Sequence, residues 1–188
     1  MVSPMTRVCV FIDGSNFYKS CLVNLGRADV NLGAFAEFLV TPNRTLVRTY
    51  YYNAPLPPDA DEDKRRGQQK FFTALQRTPY FEVRLGKLVT REVVCKACGD
   101  RHDRWHEKGV DMRIGVDMLA GASKGLYEVA ILVTGDGDLV EAVKAVKDLG
   151  KHVEVATFPI GRSDELATAA DVVTDLSLKE MSALFLRA

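Results

Sequence analysis

The sequence predicts an α/β fold: a mostly parallel sheet with helices on both faces. Three observations point there. Strand-like runs alternate with helix-like stretches along most of the chain. The runs Val8–Ile12 and Glu128–Val133 are almost continuously apolar, as strands buried on both faces are. Each is followed closely by an Asp-Gly turn, Asp13-Gly14 and Asp136-Gly137.

The elements follow in order. Val8–Ile12 is the first strand, and Ser15 is a fair N-cap for a helix from Asn16 to about Leu25. A second helix, near Leu32 to Leu39, must end before Pro42. Thr45–Tyr52 is a strand carrying Leu46, Val47, Tyr50 and Tyr52. The three prolines between Ala54 and Pro58 make a loop. Asp61–Arg77 is a helix, with acids first and Phe71, Phe72 and Leu75 as its apolar stripe. Tyr80–Leu85 and Lys87–Val94 are strands with a bend at Gly86, and Cys95–Arg104 is a polar, loop-like insertion. Gly109–Ala122 is helical, with Val110, Ile114 and Met118 one turn apart. Glu128–Val133 is the cleanest strand, and its exit loop runs from Thr134 to Asp138. A helix over Leu139–Leu149, a strand over His152–Phe158, a short helix over Asp164–Ala170, a brief strand at Val172-Val173 and a last helix over Leu178–Leu186 complete the chain.

Composition limits the function classes. Of the 188 residues, 47% are hydrophobic and 27% charged, the balance of a globular protein of one domain with a sizeable core. Lys+Arg and Asp+Glu both number 25, so no overall charge draws the chain to a polyanion, and any such binding must come from local patches. No apolar run approaches the ~18 residues of a membrane helix, and no signal peptide precedes the first strand. Four cysteines, two of them three positions apart, do not make a secreted disulfide framework, so a cytoplasmic protein with reduced thiols is expected. The sequence is compatible with a homodimer.

The chemistry lies at the strand exits. In an open α/β sheet the site lies outside the carboxyl ends of the strands. Asp13 follows the first strand, and Asp136 and Asp138 follow the cleanest one. Asp111 opens the long helix after Gly109 and joins them if that helix starts at the same edge. Each acid also has a plain structural use, as a turn residue or as a favourable charge at a helix start. As a set, converging carboxylates repel and call for a cation, and oxygen ligands select Mg2+ or Mn2+. Such an ion activates water and stabilises charge on a phosphoryl oxygen. Asp117, six residues past Asp111, lies about 120° further around the helix and reads as a neighbour of the set or as solvated surface.

Three motifs now resemble a known family: Phe11-Ile-Asp-Gly-Ser-Asn16, Glu107-Lys-Gly-Val-Asp111 with Asp117-Met-Leu119, and Thr134-Gly-Asp-Gly-Asp138. Together and in this order they are similar to the NYN domain, and most of all to its LabA-like bacterial branch. The likeness spans about 7 to 176 of a single domain covering 1–188, with an insertion at about 86–106. It implies a PIN-like α/β/α sandwich and a metal-dependent ribonuclease site. Asp13, Asp111, Asp136 and Asp138 match the acids around the family's metal, with Asp13, Asp111 and Asp136 as its first ligands. Asn16 matches their polar companion, and Ser15 and Thr134 match positions beside the site. Lys108, next to Asp111, is a candidate to steady the leaving oxygen or a surface lysine. The alternative reading is an RNA-binding or regulatory module that keeps the fold and the metal but cleaves weakly.

Two further features sit in the insertion. Cys95-Lys-Ala-Cys98 followed by His102 and His106 has the spacing C-x2-C-x3-H-x3-H, which suits a structural Zn2+ or a hairpin tip with free thiols. Arg84, Lys87, Arg91, Arg101, Arg104 and Lys108 make the region locally basic, and Trp105, the one tryptophan, stands among them. They are candidates to hold single-stranded RNA by phosphate contact and stacking, or to form a solvated strand face. Other enzyme classes fit less well. A haloacid-dehalogenase phosphatase needs a second Asp where Ser15 stands, and no G-x-G-x-x-G follows the first strand to hold a dinucleotide.

Overall fold

The structure, a computed structural model, describes residues 5–94 and 97–186, and of His102 and Arg104 the backbone alone. Six strands form one parallel sheet in the order β3-β2-β1-β6-β7-β8: β1 (Thr6–Asp13), β2 (Arg44–Asn53), β3 (Phe81–Leu85), β6 (Val129–Val133), β7 (His152–Thr157) and β8 (Val172–Asp175). The chain first winds outward from β1 through β2 to β3. It does so by way of α1 (Gly14–Leu25), α2 (Leu32–Leu39) and α3 (Glu62–Arg77). It then returns to the other side of β1 through α4 (Val110–Ser123), α5 (Val140–Asp148) and α6 (Asp164–Ala169).

The side chains of β1 show how the layers form. Strand residues point alternately to opposite faces. Val8, Val10 and Ile12 join a core with Phe17 and Cys21 of α1, Phe35 of α2 and Phe72 of α3. Cys9 and Phe11 join the other core, with Ile114 and Met118 of α4 and Val143 and Val146 of α5. β6 divides in the same way, with Ile131 and Val133 on the first face and Ala130 and Leu132 on the second. The two central strands are thus buried on both faces, which is why they read as unbroken apolar runs. The result is a three-layer α/β/α sandwich. Among the described residues, no helix is long and apolar enough to cross a membrane.

Three expected elements differ. The N-cap of α1 is Asp13, not Ser15: its carboxylate accepts from the Asn16 N–H at 3.0 Å, and the helix begins at Gly14. The polar loop expected over Cys95–Arg104 gives way at Arg101 to a strand. β4 (Lys87–Val94) pairs antiparallel with β5 (Arg101–Lys108) in a two-stranded ribbon between β3 and α4. β5 reads Arg-His-Asp-Arg-Trp-His-Glu-Lys, so it lacks the apolar alternation that marks a half-buried strand. Its ladder to β4, not burial, sets its conformation. The last helix is short, α7 (Leu178–Met181), and passes into a 3-10 turn at Ser182–Leu184.

Gly14 has no room for a side chain. A Cβ there would stand 2.3 Å from the Tyr51 ring and 2.6 Å from the Tyr52 carbonyl oxygen. Gly14→Ala is therefore expected to cost about 1–3 kcal/mol, the usual penalty for overpacking. Urea denaturation checks it, and an unchanged midpoint would refute the close packing of β2 on the start of α1.

Candidate metal centre at the carboxyl edge of the sheet

The winding reverses between β1 and β6, so their carboxyl ends flank the switch point where such sheets bind ligands. Asp13 ends β1, and Thr134 to Asp138 leave β6. α4 begins at the same edge, because the ribbon leaves β3 there and returns through Gly109. Asp111 sits in the first turn of α4.

Carboxylate oxygens of Asp111, Asp136 and Asp138 lie within 4.8 Å of one another. Asp111 and Asp136 are half-buried and Asp138 is exposed. Among the described residues, no Lys, Arg or His forms an ion pair with any of the three. The Asp111 carboxyl has a raised pKa, from burial first and then from the charges of Asp136, Asp138 and Glu107. An all-oxygen, anionic and mutually repelling set fits a hard divalent cation of the Mg2+ or Mn2+ kind.

Asp13 stands beside this group rather than in it. It is only 4% exposed. One oxygen caps α1, and the other accepts from the Thr134 hydroxyl at 3.2 Å. Burial, and after it the charges of Asp111 and Glu107, push its pKa to about 6 against the pull of the Asn16 and Thr134 hydrogen bonds. Thr134 links both acids, since its hydroxyl oxygen also accepts from the Asp136 N–H at 3.2 Å. Asn16 straps the same loop to α1 by accepting from the Gly135 N–H at 2.9 Å. Asp136 in turn accepts from the Asp138 N–H at 3.0 Å and caps the 3-10 turn that leads into α5. Gly135 lets the loop pass the Gly161 carbonyl, whose oxygen would be 2.6 Å from a Cβ. Thr134, Gly135, Asp136 and Asp138 of this loop thus each have a physical use.

Glu107 was missed as a site residue, although it opens the second motif. It is exposed on β5, yet its carboxylate accepts from the Ser15 hydroxyl at 2.5 Å and raises the pKa of both Asp13 and Asp111. Ser15 also donates to Asn53 at 3.2 Å, so it ties the base of the ribbon to the start of α1. The signal was available: an acid four positions before Asp111, separated from it by one glycine turn.

The other candidates fall elsewhere. Asp117 faces away from the triad; it accepts from the Tyr52 hydroxyl at 3.0 Å and lines a cavity of about 150 Å3 with Tyr50, Arg84 and Lys124. Arg84 pairs with Glu82 at 2.7 Å and lies over the Tyr50 ring. Arg101 pairs with Glu92 at 3.2 Å. Lys87, Arg91 and Lys108 are exposed on the ribbon, and Trp105 is 38% exposed. Of the proposed zinc ligands, Cys95 and the side chain of His102 lie outside the described residues. Cys98 is exposed in the turn at the ribbon's tip. His106 pairs with Val89, five positions along β5 from Arg101 at the tip, so about 17 Å separates it from that end. The ribbon therefore does not bring His106 to Cys98. Cys9 and Cys21 are buried, which pushes their thiols to about 11 and about 12 and removes them as ligands.

The arrangement also disfavours a dinucleotide. The strand order is that of dinucleotide-binding sheets, but the N-terminus of α1 already holds a carboxylate where a pyrophosphate would sit.

Comparisons with known proteins agree with this geometry. A family model described as the NYN domain matches residues 7–178. The low amplitude and bright protein LabA of Synechococcus elongatus is 27% identical over 174 residues, covering 92% of this chain and 84% of LabA. The crystal structure of a protein of unknown function from Vibrio parahaemolyticus superposes with a TM-score of 0.69 at 24% identity, over 94% of this chain and 97% of that one.

Proposed function

The chain belongs to the NYN domain family, in its LabA-like group, and we propose that it is a metal-dependent ribonuclease. The observation that carries this reading is the convergence of Asp111, Asp136 and Asp138 beside buried Asp13 at the sheet's switch point. Asp111, Asp136 and Asp138 would hold the ion, with Asp13 and Glu107 as further acids beside them. A bound Mg2+ or Mn2+ would supply the activated water and the positive charge that phosphodiester hydrolysis needs. The chain's own residues set the geometry. Thr134 holds Asp13 and the backbone of Asp136 in fixed relation, and Asn16 anchors the loop between them. Exposed Asp138 opens the group to solvent and substrate, and Lys108, three positions before Asp111, is the candidate to steady the leaving oxygen.

The test is cleavage of single-stranded RNA with Mn2+ by the wild type and by Asp111→Asn. We expect Mn2+-dependent cleavage by the wild type and a loss of at least ~10²-fold in the variant. Equal cleavage by both would refute this site, and tight RNA binding without cleavage would favour the regulatory reading.

A structural zinc at the ribbon tip would draw on Cys95, Cys98 and His102, without His106. Metal analysis after chelator washing is expected to find one zinc per chain, and none would remove the idea.

A further inference from the structure

The register of the β4–β5 ribbon sorts its charges onto two faces. Residues directly opposite in an antiparallel pair share a face, and the face alternates with each step. One face carries the pairs Lys87–Lys108, Val89–His106, Arg91–Arg104 and Val93–His102. The other carries Leu88–Glu107, Thr90–Trp105, Glu92–Asp103 and Val94–Arg101. Every acid of the ribbon strands is on the second face. On the first, four positions are Lys or Arg, two are His, and none is acidic.

Like charges placed directly opposite destabilise a strand pair. The acidic face relieves its pair, because Arg101 reaches Glu92 at 3.2 Å. The basic face has two such pairs, Lys87–Lys108 and Arg91–Arg104, and no acid at any of its positions to relieve them. Lys87, Arg91 and Lys108 are exposed and set no ion pair among the described residues. This is the argument that applied to the acids, with the sign reversed: Lys87, Arg91 and Lys108, exposed cations with no acid on their face, call for a polyanion. Its base, Lys87–Lys108, stands at the carboxyl edge of the sheet, three positions before Asp111.

We propose that this ribbon face binds the phosphate backbone of single-stranded RNA beside the acidic centre, which the opposite face adjoins through Glu107. The proposal rests on the ribonuclease reading for its occupant. It also divides the basic candidates of the sequence. Lys87, Arg91 and Lys108 form the track, with the backbone of Arg104 in register on the same face, whereas Arg101 and Trp105 are on the opposite face and Arg84 is engaged with Glu82.

The test is binding of a short fluorescein-labelled oligouridylate in EDTA, read by anisotropy across a salt series. The variants are Lys87→Gln/Arg91→Gln and, as a control that removes the same charge, Lys124→Gln/Lys151→Gln at the amino edge of the sheet. The ribbon variant is expected to lose about tenfold or more in affinity. Its slope of log K against log salt should fall by about 1.4, since each phosphate contact on a single strand contributes about 0.7. The control should keep both, and circular dichroism should show all three proteins equally folded. Wild-type affinity retained by the ribbon variant, an equal loss in the control, or no binding by the parent would overturn the proposal. So would binding to oligouridylate no tighter than to polyglutamate of equal charge. Cleavage measured separately with Mn2+ keeps the two readings distinct. A cleaving enzyme whose affinity ignores Lys87 and Arg91 refutes only the track. A parent that binds through them but does not cleave refutes only the ribonuclease.

Discussion

Asp13→Asn is expected to make the metal-free protein more stable and to abolish the proposed cleavage. Asp13 is buried, and its pKa is about 6 in the folded state against 3.8 for an ordinary aspartate. A raised carboxyl pKa means that the folded state holds its proton more tightly than the unfolded chain. The stability it contributes is therefore full below pH ~4 and is lost as pH rises through about 6. At ~1.4 kcal/mol per unit, the loss at neutral pH approaches 3 kcal/mol. Asparagine removes the charge but keeps an oxygen to cap α1, and asparagine is as good an N-cap as aspartate. Its amide can also donate to the Thr134 oxygen in place of the present bond. We expect Asp13→Asn to gain about 1–3 kcal/mol at pH 7.5 and nothing at pH 4, read by urea denaturation in EDTA. If the proposed site is correct, cleavage with Mn2+ should fall by at least ~10²-fold, because the charge that costs stability is the one beside the proposed metal ligands. A variant less stable than wild type at pH 7.5 would show that the buried charge is compensated.

The same balance explains what the sequence could reveal. The sheet was legible because β1 and β6 are buried on both faces, and that burial writes itself as unbroken apolar runs. The acids were legible because an aspartate right after such a strand must lie at its carboxyl edge. Their division of labour was not. Asp13 and Asp136 both precede a glycine, yet one caps a helix in the interior and the other joins an open triad. Only the packing of Thr134 and Asn16 between α1 and the β6 exit separates them, and no local pattern encodes it. β5 was illegible for the opposite reason. Both its faces are solvated, so hydrophobic periodicity, the main signal for a strand, is absent. With β5 taken for a loop, Glu107 had no assigned face and the charge sorting along the ribbon could not be read. Asp117 shows the limit of helical geometry. Its angle around α4 placed it away from Asp111, but the Tyr52 hydroxyl that donates to it comes from β2, far off in sequence.

Mn2+ is expected to raise the melting temperature by several degrees at pH 7.5 and by much less at pH 5. Three carboxylates within 4.8 Å repel one another, and a divalent ion bound only by the folded state removes that repulsion. At a hundred times its dissociation constant such an ion stabilises by about 2.7 kcal/mol. For a chain of this size that is roughly 5–11 °C. Protons compete for the same oxygens. The pKa of Asp111 is raised by burial and its acidic neighbours, and that of Asp13 to about 6. Below that value Asp13 takes up a proton, less negative charge stands beside the ion, and the ion gains less by binding. Asp136→Asn/Asp138→Asn should remove the Mn2+ shift at both pH values and raise the melting temperature of the metal-free protein, since two of the three repelling charges are gone. Differential scanning fluorimetry with and without Mn2+ reads all of these. A shift that persists in the double variant would place the ion at other ligands, and a shift as large at pH 5 as at pH 7.5 would mean that protonation of Asp13 does not weaken its binding.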